Sequence, residues 1–289
     1  MKGRIVGLNC GYYSVASDDG VLFKVKARGA FRKTSLKPVV GDIVELDDLY
    51  FVINMVYPRS SYLKRPVISN LSQMLIVESL VEPEFSYLLM FKYLTYANLN
   101  NIKAKIILTK SDKYNDDVKI KEIIDVFNKV DVDVYVISNK TKEGLEEVKK
   151  LFRNEVTCLI GQTGVGKSSL INSIDPEFNR NIGEYSIALG RGKHETKEVI
   201  LLTYEGGYIA DTPGFSSLDL ELYKEEIAQY FPGFSSRYTE CYFSNCLHIS
   251  EKKCKIKEAI ENGEISPVAY ECYLKLSNEA IYKNQRYEQ

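Results

Sequence analysis

Gly161-Gln162-Thr163-Gly164-Val165-Gly166-Lys167-Ser168 has the spacing G-x-x-x-x-G-K-[ST], and it restricts the folds open to this 289-residue chain more than any other stretch. The apolar run Val156-Thr157-Cys158-Leu159-Ile160 before it reads as a buried parallel strand. Ser169-Leu170-Ile171-Asn172-Ser173-Ile174 after it reads as the start of a helix. Strand, glycine loop and helix in that order let backbone N–H groups turn inward around phosphate oxygens, and the helix N-terminus adds a positive dipole. Lys167 is placed to reach the β- and γ-phosphates and the Ser168 hydroxyl to ligate Mg²⁺, with Ser169 beside them among the nucleotide-binding residues.

A chain of this length exceeds one small core and predicts two or three domains. The formal charge of −1 conceals an uneven distribution: residues 1–65 carry eleven Lys/Arg against six Asp/Glu, a local excess of five positive charges. Between Val21 and Gly41 stand six basic residues and no acidic one. That segment is either a polyanion-binding face or a solvated surface. No apolar run approaches the ~18 residues of a membrane span, so no membrane partner is expected. Six cysteines without an export signal predict a reducing, cytoplasmic setting rather than a disulfide framework. Cys10, Cys158 and Cys272 are scattered and read as small packing groups.

Residues 1–65 read as five short strands: Arg4–Gly7, Tyr12–Ala16, Val21–Ala27, Asp42–Leu46 and Tyr50–Val56. Asp18-Asp19-Gly20 between two alternating runs marks a hairpin. Five strands in so short a span predict a small barrel of OB-fold type, a fold that binds nucleic acid through basic and aromatic strand faces. Tyr12, Tyr13 and Phe31 beside the basic segment fit that use and fit a core equally well. From Pro66 the pattern turns α/β, with strands at Gln73–Val77, Lys103–Leu108 and Val132–Ile137 and helices between them. The expected division is 1–65 barrel, 66–220 P-loop domain and 221–289 a mainly helical domain.

The polar residues that follow the strands have definite chemistry. Thr109-Lys110-Ser111-Asp112 fits the [NT]-K-x-D pattern. Its carboxylate accepts from the guanine N1–H and 2-amino group, donors that adenine lacks, while Lys110 packs over the base. Ser138-Asn139-Lys140 suits the supporting base loop. Asp211-Thr212-Pro213-Gly214 fits the loop that senses γ-phosphate, with Asp211 reaching Mg²⁺ through water and Gly214 facing the phosphate. The guanine loops precede the P-loop by about fifty residues, and no second [NT]-K-x-D follows Gly214. Cutting an α/β domain at a surface loop and joining its old termini keeps the sheet and changes the chain order. The pattern is that of a circularly permuted GTPase domain binding GTP and GDP.

Cys241-x₄-Cys246-x-His248-x₅-Cys254 supplies three thiolates and an imidazole, a tetrahedral set for one structural Zn²⁺. A C-terminal domain of under about seventy residues gains from such a staple. Lys255–Asn262, ended by Gly263, and a segment opened by Ser266-Pro267 read as two helices, the second carrying Ala269, Tyr273, Leu276 and Ala280.

Together, an OB-like barrel, the order TKSD, SNK, GQTGVGKS, switch loop and DTPG, and the Cys₃His terminus resemble the RsgA (YjeQ/YloQ) family over essentially the whole chain. The resemblance implies a circularly permuted GTPase that assists late maturation of the small ribosomal subunit, and the chain is expected to act as a monomer. It further implies hydrolysis stimulated by that subunit, and barrel and zinc domains on ribosomal RNA. Where the family's switch loop reads G-[RK]-G-[RK]-H-T-T, this chain has Glu195 for the first Thr, leaving Thr196 as the hydroxyl for Mg²⁺. Phe215 stands where many GTPases carry a water-orienting Gln, so His194, the only histidine outside the cysteine cluster, is the internal candidate for the catalytic group alongside Lys167. A GTP-dependent switch on another RNA or protein and a P-loop ATPase are the alternatives, and Asp112 speaks against the second.

Overall fold

The computed structural model describes residues 1–32, 36–47, 49–176, 199–211, 218 and 220–280, with Arg32 and Asp211 described through their backbones alone. Strands β1 (Lys2–Asn9), β2 (Tyr12–Ser17), β3 (Leu22–Ala27), β4 (Ile43–Asp47) and β5 (Val52–Val56) close into a barrel in the order β1-β2-β3-β5-β4. Alternation drives the closure: Ile5, Val15, Val25, Val44, Leu46 and Ile53 point inward and are buried. The parallel β3–β5 pairing, Lys26 opposite Val52, completes the ring. Cys10 departs from the expected packing role, since it sits exposed in the β1–β2 turn, whereas Cys158 and Cys272 are buried.

A two-stranded hairpin, β6 (Tyr62–Lys64) and β7 (Val67–Ser69), follows the barrel. Strands of three residues carry too little periodicity to be read from sequence. What fastens this hairpin is Asp42, fully buried beside β4. Its carboxylate accepts from Arg59 Nε at 2.7 Å, Arg59 Nη2 at 2.8 Å, Ser69 Oγ at 2.6 Å and the Val39 N–H at 2.8 Å. Bidentate pairing and full hydrogen bonding are the conditions under which a buried carboxylate is tolerated.

The central sheet contains β8 (Gln73–Ser79), β9 (Lys103–Thr109), β10 (Val134–Val136), β11 (Val156–Ile160), β12 (Ile200–Tyr204) and β13 (Gly207–Asp211). Their order is β10-β9-β8-β11-β13-β12, and every pairing is parallel except β12 with β13. Every residue of β8 is buried, as expected of a central strand covered on both faces. Met74 and Ile76 face α1 (Tyr87–Leu99) and α2 (Asp117–Asn128), while Leu75 and Val77 face α3 (Leu145–Lys150) and α4 (Lys167–Ile174). Helix α1 starts at Tyr87 because the Ser86 hydroxyl caps it by accepting from the Leu89 N–H at 3.3 Å. In α2 the buried positions are Ile123, Val126 and Phe127, with Ile120 and Ile124 half-buried.

Beyond β13 the described residues form a turn of helix at Ile227–Tyr230 and helices at Lys255–Glu261 and Pro267–Glu279. Ser266 caps the last one by accepting from the Val268 N–H, and Pro267 occupies its first turn. An aromatic ladder joins this region to the sheet. Phe127 meets Phe91 at 5.2 Å, Phe91 stacks on Phe231 at 5.1 Å, and Phe231 meets Tyr273 at 5.4 Å between ring centroids. Among the described residues no helix is long and apolar enough to cross a membrane. The parallel strands direct the carboxyl ends of β8, β9, β10, β11 and β13 to one edge, where α/β sheets bind ligands.

Asp42→Ala should unfasten the hairpin, leaving Arg59 and Ser69 without their acceptor, at a cost of about 3 kcal/mol. A thermal melt should show the first transition lowered by several degrees, with Asp42→Asn losing less. Equal melting of Asp42→Ala and wild type would contradict the buried-acceptor account.

Candidate functional site: a phosphate loop, a base pocket and a Cys₃His cluster

The phosphate loop is pressed against the end of β8. A Cβ on Gly161, whose φ is +150°, would stand 2.1 Å from Val77 O, so no side chain is accommodated there. Gly166 caps α4 with φ +103°, and a Cβ on it would lie 3.3 Å from Asn139 Nδ2. Val165, fully buried, pins the middle of the loop into the core beneath. Lys167 Nζ donates to Gly161 O and Gln162 O at 2.6 Å each, so the ammonium lies over its own loop. Burial lowers the Lys167 pKa and nearby Glu78 raises it.

The two proposed base loops converge on this loop from β9 and β10. Thr109 Oγ1 donates to Val165 O at 2.5 Å and lies 3.2 Å from Glu78 O. Its hydroxyl therefore binds the phosphate loop to the neighbouring strands rather than facing open space. Lys110 takes the left-handed conformation, φ 64°, and its ammonium donates to Glu82 O. Asp112 lies on the single turn Ser111–Lys113, where its Oδ1 accepts from Ser138 Oγ at 2.7 Å. Ser138 Oγ in turn accepts from the N–H groups of Lys140 at 3.2 Å and Thr141 at 3.0 Å. One hydroxyl thus fixes the carboxylate and folds the next loop, a link that spacing alone could not reveal. The Ser111 N–H donates to Ile137 O, tying the two loops a second time. Asn139 Oδ1 is buried and has no partner among the described residues.

Asp211 ends β13, which runs parallel to β11 with Cys158 opposite Ala210, so its backbone reaches the same edge as the loop. His194, Glu195, Thr196, Gly214 and Phe215 lie outside the described residues. The sequence reading missed Glu78, the penultimate residue of β8. It is fully buried, and burial pushes its carboxyl up to about 7. The available signal was an acidic residue directly after an apolar strand run.

The second constellation is Cys241, Cys246, His248 and Cys254, whose ligand atoms all lie within 4.8 Å of one another. His248 Nδ1 is 3.5 Å from Cys241 Sγ and 3.4 Å from Cys254 Sγ, and the latter two sulfurs are 3.9 Å apart. A tetrahedron with metal–sulfur bonds of about 2.3 Å has edges of about 3.8 Å, so the donors fit a single ion. The surroundings hold them: Tyr270 and Tyr273 hydroxyls donate to His248 O and Leu247 O at 2.7 and 2.8 Å. The Glu251 carboxylate accepts from the N–H groups of Leu247, Ile249 and Ser250. The loop is thus fixed before any ion is considered.

On the barrel, Lys24 and Lys26 place their ammonium groups 5.0 and 4.7 Å from the ring centre of half-exposed Tyr12. Arg28 is paired with Asp47 at 2.9 Å, so the segment's charge is partly compensated. Tyr13 and Phe31 pack partly buried against the core.

Comparison with known proteins gives a consistent result. A family model described as RsgA GTPase matches residues 56–221, and one described as RsgA N-terminal domain matches residues 2–49. A Geobacillus protein named small ribosomal subunit biogenesis GTPase RsgA is 38% identical over 293 residues, 99% of each chain. The protein of that name from Bacillus subtilis is 36% identical over 296 residues, again 99% of each. Among solved structures, YjeQ from Thermotoga maritima superposes with a TM-score of 0.84 at 33% identity, covering 96% of this chain and 97% of that one. YloQ, described as a circularly permuted GTPase, gives a TM-score of 0.81 at 32% identity, with coverage of 96% and 94%.

The cluster's geometry predicts that protein purified without chelator carries one divalent ion per chain, measured by elemental analysis. Cys246→Ala should lose most of it and lower the melting of the C-terminal region. Full metal content in that variant would remove Cys246 from the ligand set.

Proposed function

The chain belongs to the RsgA GTPase family, and from that premise we propose that it hydrolyses GTP on the small ribosomal subunit and so assists late maturation of that particle. The observation that carries this reading is the Ser138–Asp112 hydrogen bond, which presents a guanine-type acceptor beside the phosphate loop. A carboxylate fixed in this way accepts two donors from guanine and none from adenine. Lys110, Ser138, Asn139 and Lys140 complete the base pocket, and the backbone of Gly161–Ser169 cradles the phosphates. Ser168 and Thr196 would hold Mg²⁺, whose charge neutralises that developing on the phosphoryl oxygens. Asp211 and Gly214 belong to the γ-phosphate sensor in this reading, and Lys167 stabilises the transferring phosphoryl group.

The Cys₃His donor set favours Zn²⁺ among divalent ions, since soft thiolates dominate it and no position is left open for catalysis. In this reading the ion is structural. The barrel's Lys24, Lys26 and Tyr12 offer charge and a stacking ring to ribosomal RNA. The working division is 1–65, 66–220 and 221–289, and the protein acts as a cytoplasmic monomer.

Asp112→Asn should move preference from GTP towards xanthosine triphosphate, whose C2 bears oxygen in place of the amino group. Competition binding checks this, and unchanged GTP preference would remove Asp112 from the base pocket.

Hydrolysis should be slow alone and rise at least tenfold when purified small subunits are added. Because Phe215 has no polar atom to orient water, His194→Ala should lose most of that stimulated rate while GTP affinity holds. No stimulation of the wild type by small subunits would overturn the ribosomal reading. Full stimulation of His194→Ala would assign the catalytic group to the ribosome.

A further inference from the structure

The loop after β10 holds a side chain to which the functional reading above gives no task of its own. In that loop the Ser138 N–H donates to Glu143 O at 3.1 Å, and the N–H groups of Lys140 and Thr141 donate to Ser138 Oγ at 3.2 and 3.0 Å. Of these four consecutive residues, Asn139 keeps its N–H without an acceptor among the described residues. Its side-chain amide is equally unspent. Oδ1 is buried without a partner among the described residues, and no group there bonds Nδ2 either. A polar group shut away from water is normally bonded, so this amide calls for a partner that the protein does not supply.

The amide reaches the phosphate loop, for Nδ2 lies 3.3 Å from where a Cβ on Gly166 would stand. Thr109 Oγ1 lies 3.6 Å from the same point, but its proton goes to Val165 O. Side by side at Gly166 thus stand a hydroxyl already committed and an amide with a donor to give. Turning the Thr109 proton elsewhere would break its bond to the phosphate loop.

Guanine matches this arrangement edge by edge. Its N1–H and 2-amino group donate, and Asp112 is held by Ser138 to accept from them. O6 and N7, next in order round the base, only accept. Beyond N7 come C8 and then N9, which carries the ribose leading to the phosphates. With its donors on Asp112 and its phosphates on Gly161–Ser168, the base turns O6 and N7 towards the ground between, where Asn139 stands. We propose that Asn139 holds both acceptors of that edge: its backbone N–H meets O6, and its side-chain Nδ2 donates to N7. The inference rests on the reading of this pocket as a guanine site and deepens it. Adenine shares N7, so the amide contact adds affinity and fixes the base in place. Discrimination stays with Asp112 and with the Asn139 N–H, which would face the 6-amino donor of adenine.

The test compares GDP with 7-deaza-GDP, in which a C–H replaces N7, by calorimetric titration of the full-length protein. Wild type should bind 7-deaza-GDP about five- to tenfold more weakly than GDP, the worth of one hydrogen bond. Asn139→Ala should lose about the same factor for GDP and bind the two nucleotides equally. Thr109→Val, which cuts the phosphate loop from β9, should weaken both nucleotides together and keep the wild-type ratio. A merely structural role for Asn139 would likewise lower both affinities and leave their ratio untouched, because a loosened loop does not sense one ring atom. Equal binding of GDP and 7-deaza-GDP by wild type overturns this inference without any variant and leaves the guanine reading standing. An unchanged ratio in Asn139→Ala assigns N7 to another donor and overturns it as well. Failure of wild type to bind GDP overturns the guanine-site reading and this inference with it.

Discussion

The absence of room around Gly161 governs the site. With Val77 O where a Cβ would stand, the phosphate loop lies flat on the end of β8, and its lysine curls over the loop carbonyls. The contact fixes the height of the loop relative to β8 and, through Thr109 on Val165 O, relative to β9. From β9 the Asp112–Ser138 bond carries the same constraint to β10. Phosphate loop and base loops are therefore positioned by short contacts between neighbouring strand ends. None of these contacts depends on the order in which the chain visits the strands.

That independence explains how permutation is tolerated. The sheet needs β8 beside β11 and β11 beside β13, and hydrogen bonding with burial on both faces enforces it whatever the connections. The order of the chain matters elsewhere. The barrel, coming first, packs β1 against β12, and Arg4 lies over the Tyr208 ring at 5.5 Å. The barrel thus abuts the same hairpin whose second strand ends at Asp211. Direct continuation from that strand into the C-terminal region makes one covalent path from the carboxyl edge of the sheet to the Cys₃His cluster.

Much of this was legible in the sequence because it rests on short, rigid chemistry. The P-loop needs its glycines and lysine at fixed spacing, and four soft donors within fourteen residues leave few readings. The barrel and the parallel strands announce themselves through alternation and apolar runs. Long-range polar pairing was not legible. Nothing in local spacing says that Ser138 will donate to Asp112, that Asp42 will gather Arg59 and Ser69, or that the Thr109 hydroxyl serves the phosphate loop. Cys10 was misjudged because the average tendency of free cysteine to be buried says nothing about a turn position. Glu78 escaped notice because an acid after an apolar run reads as the end of a strand, whereas here the strand continues beneath the loop.

The C-terminal region adds a mechanical argument to the chemical one. Its core is an aromatic series in which Phe231 contacts Phe91 of α1, Phe234 and Tyr273, and Phe234 lies 6.2 Å from the His248 ring. Tyr273 also donates to Leu247 O, so a single residue belongs both to the ladder and to the loop of the cluster. Interdigitated rings move as a body, because each sub-ångström gap forfeits a large share of its dispersion contacts. Helix α1 packs on β8 and β9, whose ends hold Glu78 and Thr109. The C-terminal region is therefore joined through its ring contacts to α1 on the far face of the same sheet. A loop braced by the Tyr270 and Tyr273 hydroxyls and carrying the Cys₃His donors stands at the end of that ladder. There Tyr242 and Phe243 stand exposed, with the Lys253 ammonium 4.7 Å from the Tyr242 ring centre.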